Sequence, residues 1–343
     1  MMYCIRMYWA QRPPTNYREY DSYGPLFAMN EHVAIFAQND KVRFVLVKKP
    51  YNSSSMWNCT LDYTKIKHSS TSMTYFVYSV AIGAKQNSSH LAFAYIEENG
   101  QNHVFLTVIF LEDTATGCLN LNRNLSFNVT ECAMGENGIV AMDPYGLRAY
   151  AISTFCSAFI NLTTSEASII DNSKVVDMES IEAQVFFPKA ITITEDHHAF
   201  IACHRAVFIN YGFIAYLYVV NFLDFNNAKL ITLVELTPYN FGQDGRIINR
   251  NTTMSIALDE QYGVVLVGIP QLDMVIFSTY NDTKHLEIFA KQVSDQSGVG
   301  FGKSIALING DTYVVLAYAQ PTLPWSKSQI QVRIIIIISR KRK

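Results

Sequence analysis

Glu195-Asp196-His197-His198, with His204 nearby, is the one cluster in this chain whose side chains could do chemistry. Imidazoles beside carboxylates can hold a divalent metal or exchange protons near neutral pH. The spacing argues against a shared metal, because neighbouring histidines on a strand project to opposite faces. The same composition suits a hairpin turn. Other chemistries lack their residues. There is no Gly-x-Ser-x-Gly nucleophile turn and no glycine-rich phosphate loop. Neither Cys-x-x-Cys nor a Cys/His ladder is present to bind zinc. No spacing nominates a carboxylate pair for glycoside cleavage. The expectation is therefore no catalytic residue, no metal site and no cofactor.

Two residue types point elsewhere. Asn-x-Ser/Thr acceptors occur at Asn52, Asn58, Asn87, Asn124, Asn128, Asn161, Asn251 and Asn281. Nearly all are expected in turns or between repeats, where a glycan can project into water. Six cysteines (Cys4, Cys59, Cys118, Cys132, Cys156 and Cys203) form an even set, which in a glycosylated chain suggests disulfides. Cys118 and Cys132 bracket a polar segment, and a bridge between them would contribute on the order of 3 kcal/mol through chain entropy. Cys156 and Cys203 lie in apolar strand contexts that favour buried free thiols; the pairing of Cys4 and Cys59 stays open. Together these residues predict an extracellular protein. The N-terminus carries no apolar stretch of signal-peptide length, which read alone implies no export. A trimmed or mis-assigned start reconciles the two.

The elements that position these residues come from a repeated phrase. A small residue between two aliphatic ones, a polar turn and a second apolar run recur six times. The copies are Val33-Ala34-Ile35, Val80-Ala81-Ile82, Val140-Ala141-Met142, Ile191-Thr192-Ile193, Ile256-Ala257-Leu258 and Ile305-Ala306-Leu307. Their spacing, roughly 50 to 65 residues, is near that of a four-stranded propeller blade. Each apolar run, Gly/Asn/Asp turn and apolar run makes a hairpin. Third strands are expected at 104–110, 214–222, 274–278 and 330–338, and fourth strands at 230–236 and 286–290. No window keeps a helical period.

The predicted fold is all-β: a single β-propeller over residues 1–343, with repeats beginning near 30, 77, 137, 188, 253 and 302. Six blades of four antiparallel strands are expected, with seven as the alternative. The last copy shows three strands, so a strand from the opening segment, Tyr3 to Tyr8 or Leu26 to Met29, would complete it and remove an exposed edge. Of the 343 residues 49% are apolar and 16% charged, ample for a large core, and the 13% aromatic share suits half-buried strands. A net charge of −2 gives no field for nucleic acid, and no apolar run is long enough to span a bilayer. The terminal Arg340-Lys341-Arg342-Lys343 is the one basic run.

Residues 240 to 320 resemble the FG-GAP repeats of integrin α-subunit propellers. Gly300-Phe301-Gly302-Lys303-Ser304-Ile305-Ala306 resembles the Phe-Gly half. Val264-Val265-Leu266-Val267-Gly268-Ile269-Pro270 resembles the Gly-Ala-Pro half, with Ile269 in place of Ala. The calcium loop of that family is absent: the corresponding turns, 259–263 and 309–311, do not present its cluster of oxygen ligands. Nor does the chain carry the Ser-x-Asp-x-Gly-x-Thr-Trp turns of sialidase-type propellers. The resemblance implies a non-enzymatic, extracellular adhesion-type module with a protein or glycan partner. Its partner face would lie on the links between strands two and three and between blades. Tyr51, Tyr239, Phe241, Trp325 and the run 321–324 are the candidates there. A propeller glycan hydrolase or lyase and a structural spacer are the alternatives. The ligand and oligomeric state stay open.

Overall fold

The computed structural model describes residues 27–30, 32–38, 43–48, 58–62, 75–87, 91–99, 101–113, 119–132, 134, 138–175, 186–207, 212–237, 248, 252–280, 285–293, 301–309, 312–318 and 332–338. Alternating small and large apolar residues favour extended chain buried on both faces, and strand is what the described segments form. Sheet 1 holds β1 (Phe27–Met29), β2 (Val33–Gln38), β3 (Arg43–Lys48) and β4 (Asn58–Asp62). Sheet 2 holds β5 (Tyr75–Ile82), β6 (Leu91–Asn99), β7 (Val104–Asp113) and β8 (Leu119–Asn128). Sheet 3 holds β9 (Ile139–Met142), β10 (Arg148–Ile152), β11 (Cys156–Asn161) and β12 (Ala167–Asp171). Sheet 4 holds β13 (Phe186–Ile193), β14 (His198–Val207), β15 (Gly212–Asn221) and β16 (Lys229–Glu235). Sheet 5 holds β17 (Ser255–Asp259), β18 (Val264–Ile269), β19 (Met274–Tyr280) and β20 (Leu286–Val293). Sheet 6 holds β21 (Ser304–Asn309), β22 (Thr312–Tyr318) and β23 (Val332–Ile338).

Every sheet is an antiparallel meander in chain order. The first strands of successive sheets, β1, β5, β9, β13, β17 and β21, lie against one another in turn. The strands of each sheet then step outward from that shared inner line. This is the geometry of a β-propeller. Among the described residues, helix is confined to one turn, Asn172–Val175, and three 3-10 turns.

Residues two apart on a strand share a face, and both faces of the inner strands are buried. In β6, Leu91, Phe93 and Tyr95 face sheet 1 and meet Val33, Ile35, Phe44 and Leu46. Ala92, Ala94 and Ile96 face sheet 3 and meet Val140, Met142, Ala149 and Ala151. Rings interlock at these interfaces: Phe44 lies 4.9 Å from Phe93 and 4.8 Å from Tyr95. Phe200 of sheet 4 meets Tyr280 of sheet 5 edge-on at 4.9 Å. Each fully buried ring contributes about 2 kcal/mol of transfer free energy.

Three expectations need correction. Val33-Ala34-Ile35 lies in β2, the second strand of its sheet, whereas the other five copies lie in first strands. Second strands such as β18 are buried on both faces and first strands such as β9 are too, so the apolar patterns of the two overlap. Leu26 to Met29 does not complete the last sheet: Phe27, Ala28 and Met29 pair with Phe36, Ile35 and Ala34 of β2. Tyr3 to Tyr8 lies outside the described residues.

The third correction is the disulfide. Cys132 is bridged to Cys156, with 5.4 Å between Cα atoms, and not to Cys118. The polar segment between Cys118 and Cys132 is mostly the ten-residue strand β8. A strand of that length separates its ends by roughly 30 Å, whereas a disulfide needs Cα atoms within about 7 Å. Cys156 is therefore not a free thiol, while Cys203 is free and buried. Ser153 Oγ donates to the Cys132 carbonyl at 2.9 Å and fixes the link from sheet 2 against sheet 3.

The two halves of the Phe-Gly resemblance meet in space. Phe301 is buried with Leu266, Val275 and Phe277, and its N–H donates to the buried Asp273 Oδ1 at 3.0 Å. Gly302 has φ +91°, and a Cβ on Gly268 would stand 2.0 Å from the Gly302 carbonyl. Ser255 Oγ donates to that same carbonyl at 2.7 Å. Gly268→Ala is therefore expected to cost well over 1 kcal/mol, because backbone and not a flexible side chain must move. Urea midpoints of the two proteins check this.

Candidate functional site

An up-and-down meander puts the turns between strands one and two and between strands three and four at one end of the ring. This end is called the turn face here. Hydrogen bonds join the two kinds of turn: Leu162 N–H donates to the Leu147 carbonyl, Phe222 to His197 and Tyr280 to Gly263. The links between sheets lie at the opposite end.

Four first turns converge at the inner edge of the turn face. Lys85 of sheet 2 forms an ion pair with Glu195 of sheet 4. Between them, Tyr145 of sheet 3 donates its hydroxyl to Glu195 Oε2 at 2.7 Å. The Glu195 N–H donates to Glu260 Oε1 of sheet 5 at 2.9 Å, and Lys85 N–H donates to the Pro144 carbonyl at 2.7 Å. Burial raises the Glu260 pKa, opposed by the Lys85 charge.

A second layer lies below. Asp143 is buried and its Oδ1 accepts from the Leu147 and Arg148 N–H groups at 2.6 and 2.8 Å. Burial raises its pKa against those two N–H bonds and the nearby His197 and Arg148. Burial lowers the His197 pKa, Arg148 lowers it further, and Asp143 opposes both. His197 sits at φ +60°, inside the turn and not on a strand. It interacts with Asp143 and Arg148 of sheet 3, while the His198 ring lies 6.1 Å from Tyr280 of sheet 5. His204 is elsewhere, fully buried on β14 between the rings of Phe187 and Phe213. The sequence cluster is thus split three ways. Among the described residues, no three His, Cys, Asp or Glu side chains gather as a metal would need.

Lys85, Tyr145, Arg148 and Glu260 were not singled out by sequence reasoning. The signal was present: Lys85, Tyr145, Glu195 and Glu260 each stand two or three residues past a copy of the repeat phrase. Superposing the copies brings them to within one position of one another. Tyr51, Tyr239, Phe241, Trp325 and residues 321–324 lie outside the described residues. The described turn face carries exposed apolar side chains of its own: Tyr145, Leu147, Leu223 and Tyr262. Toward the rim, a groove of about 490 Å³ opens between sheets 3 and 4, with Phe159 and Phe225 as its floor. Those rings stack at 5.0 Å.

Of the acceptor asparagines, Asn87 is exposed in the β5–β6 turn and Asn128 is exposed at the end of β8. Asn161 ends β11. Two positions differ from the expectation of turns: Asn124 lies within β8, and Asn58 opens β4. Asn52, Asn251 and Asn281 lie outside the described residues, as do Cys4 and Cys118. Gly302-Lys303-Ser304 leads into the strand β21, so no helix N-terminus stands there to receive a phosphate. No described helix is long and apolar enough to cross a membrane.

No protein-family profile matches the chain, and no curated protein matches it. Solved structures do. The chain is similar to the major allergen Mala s 1 of Malassezia sympodialis, with 11% identity, 87% of each chain covered and a TM-score of 0.51. It is similar to the WD40 domain of Toxoplasma gondii coronin, with 11% identity, 93% of this chain and 69% of that one covered, and a TM-score of 0.52. At such identities the likeness is one of fold, the β-propeller.

Proposed function

We propose that this chain is a non-catalytic recognition module acting outside the cell, whose turn face, and not the opposite end that the integrin resemblance implied, takes a protein or glycan partner. One observation carries the reading: four polar groups at the inner edge of that face are bonded to one another across four sheets. Lys85, Tyr145, Glu195 and Glu260 hold turns together. A hydrolase needs its acid and base aimed at a substrate atom. Exposed Leu223, Leu147, Tyr145 and Tyr262 give the same face the apolar contacts that partners bury. The contact between Phe301-Gly302 and Gly268 supports an FG-GAP-type pairing of repeats in sheets 5 and 6. The acceptor asparagines and the Cys132–Cys156 bridge suit an oxidising, extracellular setting.

Protein secreted from a eukaryotic host is expected to lose mass on treatment with an N-glycosidase. It is also expected to leave a panel of polysaccharides and chromogenic glycosides uncleaved. Turnover that disappears in Glu195→Gln or Glu260→Gln would replace this reading with the glycan hydrolase.

A further inference from the structure

We infer that Asn161 carries an N-linked glycan whose first sugars fold back into the groove between sheets 3 and 4, an inference that rests on the extracellular reading. Asn161 is itself part of the groove wall. It is the last residue of β11, two residues beyond Phe159, so both side chains leave the same face of the sheet. Its Oδ1 accepts from the Thr163 and Thr164 N–H groups at 3.0 and 3.4 Å. These bonds turn the carboxamide oxygen into its own loop and leave Nδ2 as the atom that takes a substituent. Attachment would join Nδ2 to the anomeric carbon of a lipid-pyrophosphate oligosaccharide. The anomeric C–O bond breaks, the lipid pyrophosphate leaves, and Nδ2 loses one proton.

The groove has the chemistry of a sugar site. A pyranose presents a flat C–H face and a rim of hydroxyls. Phe159 and Phe225 supply an apolar floor, and Leu223, 63% exposed, supplies a wall that nothing else among the described residues covers. Glu166 Oε2 accepts from the Thr164 hydroxyl and Asp224 Oδ2 from Asn227. The second oxygen of each carboxylate remains to accept sugar hydroxyls. A volume of about 490 Å³ falls within the roughly 300–1,000 Å³ of small-molecule sites. Neither Asn87 nor Asn128 lines this groove, and both are exposed, so glycans there would extend into water.

Wild-type protein and Thr163→Ala, both secreted from a eukaryotic host, test this. The substitution removes the acceptor hydroxyl but keeps Asn161 and the N–H that holds it. Glycopeptide mass spectrometry is expected to find Asn161 occupied in the wild type alone. Backbone amides of 223–227 are expected to exchange at least threefold faster in Thr163→Ala. Asn87→Gln is expected to leave those amides unchanged. Unglycosylated wild type and Thr163→Ala from a bacterial host are expected to exchange alike there; a difference between them would assign the effect to the loop and overturn the inference. Occupancy at Asn161 with unchanged exchange would also overturn it. Should Asn87 or Asn128 be glycosylated and Asn161 bare, the inference fails while the extracellular reading stands. If no acceptor is modified, both fall.

Discussion

Glu97→Gln is expected to abolish most of the fall in stability that the native protein shows as pH rises from about 5 to 8. Glu97 is fully buried near the end of β6, where Thr107 Oγ1 donates to its Oε1 at 2.8 Å and Ser126 continues the chain of hydroxyls at 2.9 Å. Burial pushes its pKa from 4.5 up to about 8, opposed by the Thr107 bond. Between those two values the folded chain holds a proton that the unfolded chain has released. The unfolded state then binds fewer protons, so stability decreases with rising pH. The stabilising protonated state is fully present below pH 4.5 and is lost as pH rises through about 8. At 1.36 kcal/mol per unit the loss totals about 5 kcal/mol, as an order of magnitude. Gln keeps the acceptor for Thr107 and has no proton to lose. Urea unfolding of both proteins from pH 5 to 9 measures the effect. The native midpoint should slide downward while that of Glu97→Gln stays nearly level, and the two should be close at pH 5. Parallel slopes would show that other groups carry the linkage.

The fold was legible in the sequence because the inner strands of a propeller are buried on two faces. That burial forces Ala34, Ala141 and their neighbours into a recurring small-apolar pattern. The same cause misplaced the first copy: β2 is buried like a first strand, so Val33-Ala34-Ile35 matched the phrase one strand too far out. The paired carboxylates and lysine of the turn face were harder to read. Lys85 and Glu195 stand 110 residues apart, and only closure of successive sheets around one axis brings them together. His197, His198 and His204 show the converse. Close in sequence, they are separated by a left-handed turn at His197 and by the length of β14. Polarity also misled at β8. Its outer position makes it rich in Asn, so an edge strand read as a loop, and with it went the position of Asn124 and the partner of Cys132.

Loss of the Cys132–Cys156 bridge is expected to lower stability by about 3 kcal/mol. The bridge closes a loop of 24 residues that contains the passage from sheet 2 to sheet 3, β9 and β10. Closing such a loop in the unfolded chain removes entropy worth about 3 kcal/mol at 25 °C. For a chain of this size that corresponds to a drop in Tm of about 5 °C. The double substitution Cys132→Ser and Cys156→Ser tests it more cleanly than either single one, which would leave an unpaired thiol beside Ser153. Packing limits the damage to the folded state, since both cysteines belong to a buried cluster that includes Leu106 and Val108 of sheet 2 and Val140 and Ala158 of sheet 3. The cost should therefore fall on the unfolded side, leaving the native near-ultraviolet circular dichroism of the double variant unchanged. Peptide mapping without reduction should recover Cys132 and Cys156 in one cross-linked fragment. A fragment joining Cys118 to Cys132 would require β8 to fold back on itself, and with it the pairing of Ile109 with Asn124 that makes sheet 2 four strands wide.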